Sequence, residues 1–504
     1  MKVCLINPPL ISQKDDPHTG IIFMPFMLAY LSAFLKQQGH QVHVTDALGE
    51  APAKYLPFED RYIQGLSIQE TVNKIPVDTE VVIIYFIGVA AHRAISDIAI
   101  EIRKRHPNTR LVLMENSQAV TAISLRHDAE AFLNLGYEVL LTGDPERPAA
   151  EMLKAWSNEN DTPESAGLIF RKIDGNLSMM VKIQPDRDLD NLPFPDWKSF
   201  PLKNYWTIGY AHGPQESKYL PLLTSRGCPV PCRFCVIPAT NQRKWRPRSA
   251  ENVVDEMAHW QITLGVSEFH IEDVNPTVRN QRMVDISNEI TRRKLKVKWK
   301  FASGTKIETM ELDTIPILAA AGCNYISFSP ETGSPELLKK INKPFKHDLA
   351  FEMVKLMHKH GIRSQACFVL GFPGETKEDV RLTKNYIKKL TKAGLDEIAQ
   401  FIITPIPGSA IFDQYSGYDN YSQLTFSPKW RKDFAKLSQR RLLHYVSFAV
   451  WKCWYHPLKV CGNVKGILAG RFKTKLEQAL YRVSIWRIRR LFGSFPRSLY
   501  GSTE

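Results

Sequence analysis

Apolar runs of strand length alternate with helically spaced stretches along most of the chain. Residues 3–7 are an apolar run stopped by Pro8 and Pro9. Residues 23–38 repeat apolar positions at the 3.6-residue period of a helix that ends near Gly39. Residues 41–46, 80–86, 110–114 and 137–142 read as further strands, and 94–105 as a helix. This alternation predicts a doubly wound parallel sheet over residues 1–150. Ligands of such sheets gather at the carboxyl ends of the strands. Those ends are Asn7, Asp46, residues 86–88, Glu115-Asn116-Ser117 and Gly143-Asp144.

Residues 151–215 break the pattern and read as a connector. A polar stretch at 157–163 precedes a hairpin centred on Asp174-Gly175-Asn176. The proline-rich 192–197 is a stiff extended piece that lies against a flanking domain. From 216 to 420 the order becomes helix then strand: helices over 253–265, 281–293, 312–321, 349–360 and 379–393 lead into strands over 268–271, 298–301, 325–328, 363–370 and 397–403. With a first strand at Leu222, six parallel strands predict a partial (β/α)6 barrel, whose chemistry sits at the strand carboxyl ends. Residues 421–504 interleave Lys and Arg with large apolar side chains and form a basic helical region, including an amphipathic helix over 485–492.

The loop after the first barrel strand carries Cys228, Cys232 and Cys235, a C-x3-C-x2-C spacing. Three thiolates this close can hold three irons of a [4Fe–4S] cube and leave the fourth open to a small molecule. A structural zinc site wants four ligands, and no second Cys pair or ligand-spaced His accompanies this triplet. Eight cysteines in 504 residues are too few for a disulfide scaffold, and residues 1–6 read directly into a strand rather than a secretory signal.

The triplet, with Phe234 just before its last cysteine, resembles the radical S-adenosylmethionine (radical SAM) superfamily. The resemblance implies that SAM chelates the open iron and is cleaved to a 5′-deoxyadenosyl radical that removes hydrogen from substrate. It implies a SAM site built from Phe234, Glu272, Asp273, Glu331 and the turn Gly371-Phe372-Pro373-Gly374, and an electron donor such as flavodoxin or ferredoxin. Glu272 and Asp273 are the candidates for SAM's ammonium. Glu375, beside that turn, is an alternative cap for the helix that follows.

A sheet directly ahead of such a core resembles the cobalamin-binding domain of the cobalamin-dependent radical SAM class. The matching features are the opening strand, the Asn7-Pro8-Pro9 turn and residues 24–31. Asn7, Asn116, Ser117 and Gly143 are the candidate cobalamin contacts. Two departures stand out. The family's Asp-x-His-x-x-Gly motif is absent, with His18 one residue short of it, and the usual glycine-rich turn is Glu115-Asn116-Ser117-Gln118. The implied activity is cobalamin-dependent methyl transfer to an unactivated carbon of a lipid-like or secondary-metabolite substrate. The alternatives are a radical cyclisation or rearrangement without methyl transfer, and a non-catalytic membrane-associated Fe–S protein. Methylthiolation of tRNA fits poorly, because the N-terminal domain has only Cys4 where that family has three cluster cysteines.

Charge changes the picture in one region. The chain has 66 Lys+Arg and 52 Asp+Glu, of which 17 and 3 fall in residues 429–504, leaving 49 of each elsewhere. The whole net charge of +14 therefore belongs to the C-terminal segment. An anionic membrane surface is one partner for it, a roof over a large apolar pocket is another use, and nucleic acid ranks below both. No apolar run reaches the ~20 residues that span a bilayer. The expected setting is cytoplasmic, with peripheral attachment to the inner membrane face as its extension.

Overall fold

A computed structural model describes residues 1–13, 16, 20–59, 61–159, 165–179, 188–208, 211–469 and 471–481. His18 and the expected helix over 485–492 lie outside these residues.

The N-terminal sheet has seven strands: β1 (Lys2–Asn7), β2 (Gln41–Asp46), β3 (Val81–Phe86), β4 (Arg110–Glu115), β5 (Val139–Leu141), β6 (Leu168–Arg171) and β7 (Leu177–Met179). Their order is β7-β6-β5-β4-β3-β1-β2. The first five strands are parallel. β3 reads Val-Val-Ile-Ile-Tyr-Phe and is buried throughout, as a strand covered on both faces must be. The order reverses between β1 and β3, so their carboxyl ends open a crevice at the switch point.

Two features differ from the sequence expectation. The hairpin read as part of a connector pairs antiparallel with β5 and completes the sheet. Leu10–Ser12, Tyr55–Phe58 and Arg61–Gln64 form a small antiparallel sheet that sequence reading missed, because strands of three or four residues carry almost no periodicity.

The second sheet holds six parallel strands in sequential order: β8 (Tyr219–Leu222), β9 (Glu268–Ile271), β10 (Lys298–Thr305), β11 (Cys323–Glu331), β12 (Arg363–Leu370) and β13 (Glu397–Ile402). This is the partial (β/α)6 barrel. Its helices begin and end where local chemistry says they should. Ser249 caps Ala250–Leu264, which stops at left-handed Gly265. Thr376 and Asp379 form a capping box on Lys377–Ala393. β10 and β11 run further than expected, with register irregularities that carry Ser303 and Ser329 within the strands.

The C-terminal region is helical. Phe434–Tyr455 packs on Lys377–Ala393 and β13. A break at His456 then starts Pro457–Leu468. Asp196, in the proline-rich stretch, accepts from Ser32 at 2.7 Å and Lys36 at 2.6 Å, and so ties that stretch to the N-terminal domain.

Candidate active site

The cysteine loop is held from both sides. Arg226, just ahead of it, donates to Glu146 at 2.9 and 2.7 Å and lies 3.3 Å from Asp144, with all three side chains buried. Gly227 has φ +82°, and a Cβ there would stand 2.0 Å from the Lys244 carbonyl oxygen, so only glycine fits. Its N–H donates to Gln118 Oε1 at 2.9 Å, and Gln118 Nε2 donates to Asn241 at 2.9 Å. Asp273 accepts from Thr224 N at 2.7 Å, Thr224 Oγ1 at 2.6 Å and Ser225 Oγ at 2.5 Å. The loop is therefore fixed by the N-terminal sheet on one side and the end of β9 on the other.

Cys228, Cys232 and Cys235 carry free thiols and line one wall of a cavity of about 1550 Å³ between the two sheets. Asn275 Nδ2 donates to Cys228 Sγ at 3.4 Å. Burial raises the pKa of Cys232 and Cys235, and Lys343 opposes it in both. Among the described residues, no three His, Cys, Asp or Glu side chains converge tightly enough for a single ion. Three thiols from one loop suit the separate corner irons of a cube instead.

Phe234 lines the cavity, with the Phe372 ring edge-on at 5.4 Å. Glu331 lines it too, in a left-handed conformation (φ +62°) that costs a non-glycine residue roughly 1–2 kcal/mol, and pairs with buried Lys343. Glu272 also faces the cavity. Its carboxylate accepts from His212 Nδ1 at 2.7 Å and Ser303 Oγ at 2.9 Å. Burial pushes Glu272 up, but His212 and further positive neighbours bring it below the ordinary carboxylate range. Burial pushes the His212 imidazole down, and the Glu272 carboxylate beside it opposes that shift. Phe23 of the N-terminal domain sits 4.5 Å from the His212 ring.

Several sequence candidates are placed elsewhere. Asp273 is spent on the cysteine loop and does not line the cavity. Nor do Gly371, Phe372, Pro373 and Gly374. Their turn backs Phe234, and Arg431 and Tyr415 donate to the Gly371 carbonyl from outside. Glu375 accepts from Gly371 N at 2.9 Å and closes the turn, while Thr376 caps the helix.

Of the candidate cobalamin contacts, Asn116 lines the cavity, and Asn7, Ser117 and Gly143 do not. Asn7 is fully buried and donates to Asp46 at 2.6 Å. Ser117 offers its carbonyl to Asn241. Gly143 N donates to Glu115 Oε1 at 3.1 Å, and Leu125 N donates to Glu115 Oε2 at 2.9 Å. Glu115 thus closes the space between the ends of β4 and β5, and burial lifts its pKa to about 7.

Sequence reading missed Gln118, His212, Lys343, Cys367, Tyr445 and Lys475 as cavity-lining residues. His212 and Lys475 lie far from any motif, and only folding brings them in. Lys475 Nζ donates to the Ala302 carbonyl at 2.6 Å. The C-terminal helices supply the remaining wall through Ser438, Leu442, Val446, Ala449 and Ile467.

Comparison with known proteins agrees with this geometry. Residues 222–405 match the radical SAM superfamily model. An uncharacterized methyltransferase of Pyrococcus horikoshii is 26% identical over 459 residues, covering 90% of each chain. The cytidylyl-2-hydroxyethylphosphonate methyltransferase of Streptomyces wedmorensis is 25% identical, covering 81% of this chain and 80% of its own. Among solved structures, the radical SAM methyltransferase TsrM from Kitasatospora setae, with cobalamin and a [4Fe–4S] cluster bound, superposes with TM-score 0.63 at 18% identity, over 82% of this chain and 74% of that one. Residues 222–405 form a radical SAM domain, and the chain has the fold of the TsrM structure over most of its length.

Proposed function

We propose that this protein is a cobalamin-dependent radical SAM methyltransferase acting on an unactivated carbon of a large, mainly apolar substrate. The observation that carries this reading is one cavity lined together by three thiols, by Glu272 and Glu331, and by strand ends of the N-terminal sheet. Bound together, the cluster and SAM supply a hydrogen-abstracting radical, and cobalamin supplies the methyl group.

The residues fit those groups unequally. Cys228, Cys232 and Cys235 suit three cluster irons. Glu272, ionised and fixed by His212 and Ser303, suits the ammonium of SAM through a charge-assisted hydrogen bond. Phe234 offers a ring face beside the cluster. Tyr85, Ile87, Asn116, Gln118 and Val120 line the cavity from the N-terminal domain and offer a surface that suits a corrin ring. A nucleotide tail would find no entry between β4 and β5, where Glu115 closes the gap. The glycine-rich turn usual in this class is replaced by side chains that fasten the cysteine loop. That accounts for its bulk without excluding the ring.

The chain's own residues position substrate and keep water out. Apolar side chains of the C-terminal helices line the cavity, and its charged side chains are largely paired, as in Glu331–Lys343 and Glu272–His212. The test is anaerobic reconstitution with iron, sulfide and hydroxocobalamin, followed by gel filtration. Corrin absorbance that co-elutes stoichiometrically, and turns to that of methylcobalamin on adding reductant and SAM, supports the reading. Elution free of corrin would remove methyl transfer and favour a rearrangement.

A further inference from the structure

The mouth of the cavity is apolar and faces outward. Leu442, Val446 and Leu480 line the cavity yet are exposed, so they form its rim. Val450 and Trp454 continue the face of Leu442 and Val446 at four-residue spacing, and Trp454 is 81% exposed. Helix Pro457–Leu468 has no buried residue, although Leu458 and Leu468 are 87% and 83% exposed apolar side chains. A helix this short gains most of its stability in water from packing an apolar face, and this one packs none fully. Scattered exposed leucines need no explanation, but a contiguous set around a cavity mouth marks an interaction surface.

Charge selects the partner. Exposed Lys432, Lys436, Lys465, Arg471 and Lys473 belong to the same region, which holds the whole net charge of +14. Two copies of such a face would repel each other, whereas an anionic lipid surface attracts it. Apolar side chains beside lysines on helices too polar to span a bilayer suit the interfacial plane. Among the described residues no helix is long and apolar enough to cross a membrane.

We infer that this face docks on an anionic bilayer and turns the cavity mouth toward it, so that an apolar substrate enters from the lipid phase. The inference rests on the cavity being the active site. The full chain is floated with vesicles of phosphatidylcholine, with and without phosphatidylglycerol, over a range of salt. It is compared with the variant Trp454→Glu/Leu458→Glu/Leu468→Glu, none of whose positions lines the cavity. The wild type should float with anionic vesicles only and lose binding as salt rises. The variant should bind about tenfold less while keeping its melting temperature and its SAM cleavage. Equal binding by the variant, no flotation with anionic vesicles, or a vesicle-free dimer that the variant dissociates would overturn the proposal. A chain that floats but never cleaves SAM would defeat the enzymatic reading and leave the docking surface standing.

Discussion

Glu272 and Asp273 follow β9 as neighbours and face opposite ways. Glu272 looks into the cavity toward His212 and Ser303, and Asp273 looks back at Thr224 and Ser225. Glu272→Gln should therefore weaken SAM binding by roughly tenfold to a hundredfold, the worth of ~1.5–3 kcal/mol of charged hydrogen bonding, with little change in melting temperature. Asp273→Asn should lower the melting temperature and the iron content instead. Calorimetric titration of SAM into the reconstituted variants separates the two, and a SAM defect of equal size in both would remove the distinction. The motif alone named both residues, and only the folded loop beyond β9 shows that Glu272 lines the cavity while Asp273 turns back to Thr224 and Ser225. Spacing made the three cysteines legible in the same way. His212 was not legible, because its contacts with Phe23 and Glu272 are made only once the chain folds.

The alternation of strands and helices was readable from apolar period, since buried parallel strands are continuous apolar runs. What the strand ends do was not readable. Of the expected contacts at the ends of β4 and β5, Asn116 lines the cavity, whereas Gly143 is held by Glu115. The Glu115 pKa of about 7 lies above the ordinary 4.5, so the folded state binds that proton more tightly than the unfolded chain. The stability it contributes is full below pH 4.5 and is lost as pH rises through 7, about 3 kcal/mol in all. Melting temperatures of wild type and Glu115→Gln, measured from pH 4.5 to 8, should diverge in slope over that window, the variant being flatter. Parallel curves would mean that Glu115 is not buried as described. The cysteine loop is the other case where backbone geometry decides. Gly227→Ala should leave the protein folded but unable to take up its full complement of iron, since the loop cannot keep its path against Lys244. Normal iron and sulfide content in that variant would contradict the account of the loop.

At the scale of the whole molecule, the two sheets act as the walls of one chamber, and the cysteine loop is the joint between them. Arg226 is the centre of that joint. Arg226→Leu leaves Glu146 buried without a cation and Asp144 with Arg246 alone, a loss of ~3–5 kcal/mol that a lowered melting temperature would report. The proposed function requires that a radical form in this chamber. The most direct measurement is 5′-deoxyadenosine, assayed anaerobically in the reconstituted chain with SAM and dithionite. Wild type should produce it, and Cys232→Ala, correctly folded by its melting curve, should produce none. Its absence from the wild type, or its persistence in Cys232→Ala, would show that the cysteine loop does not hold the cluster on which this reading depends.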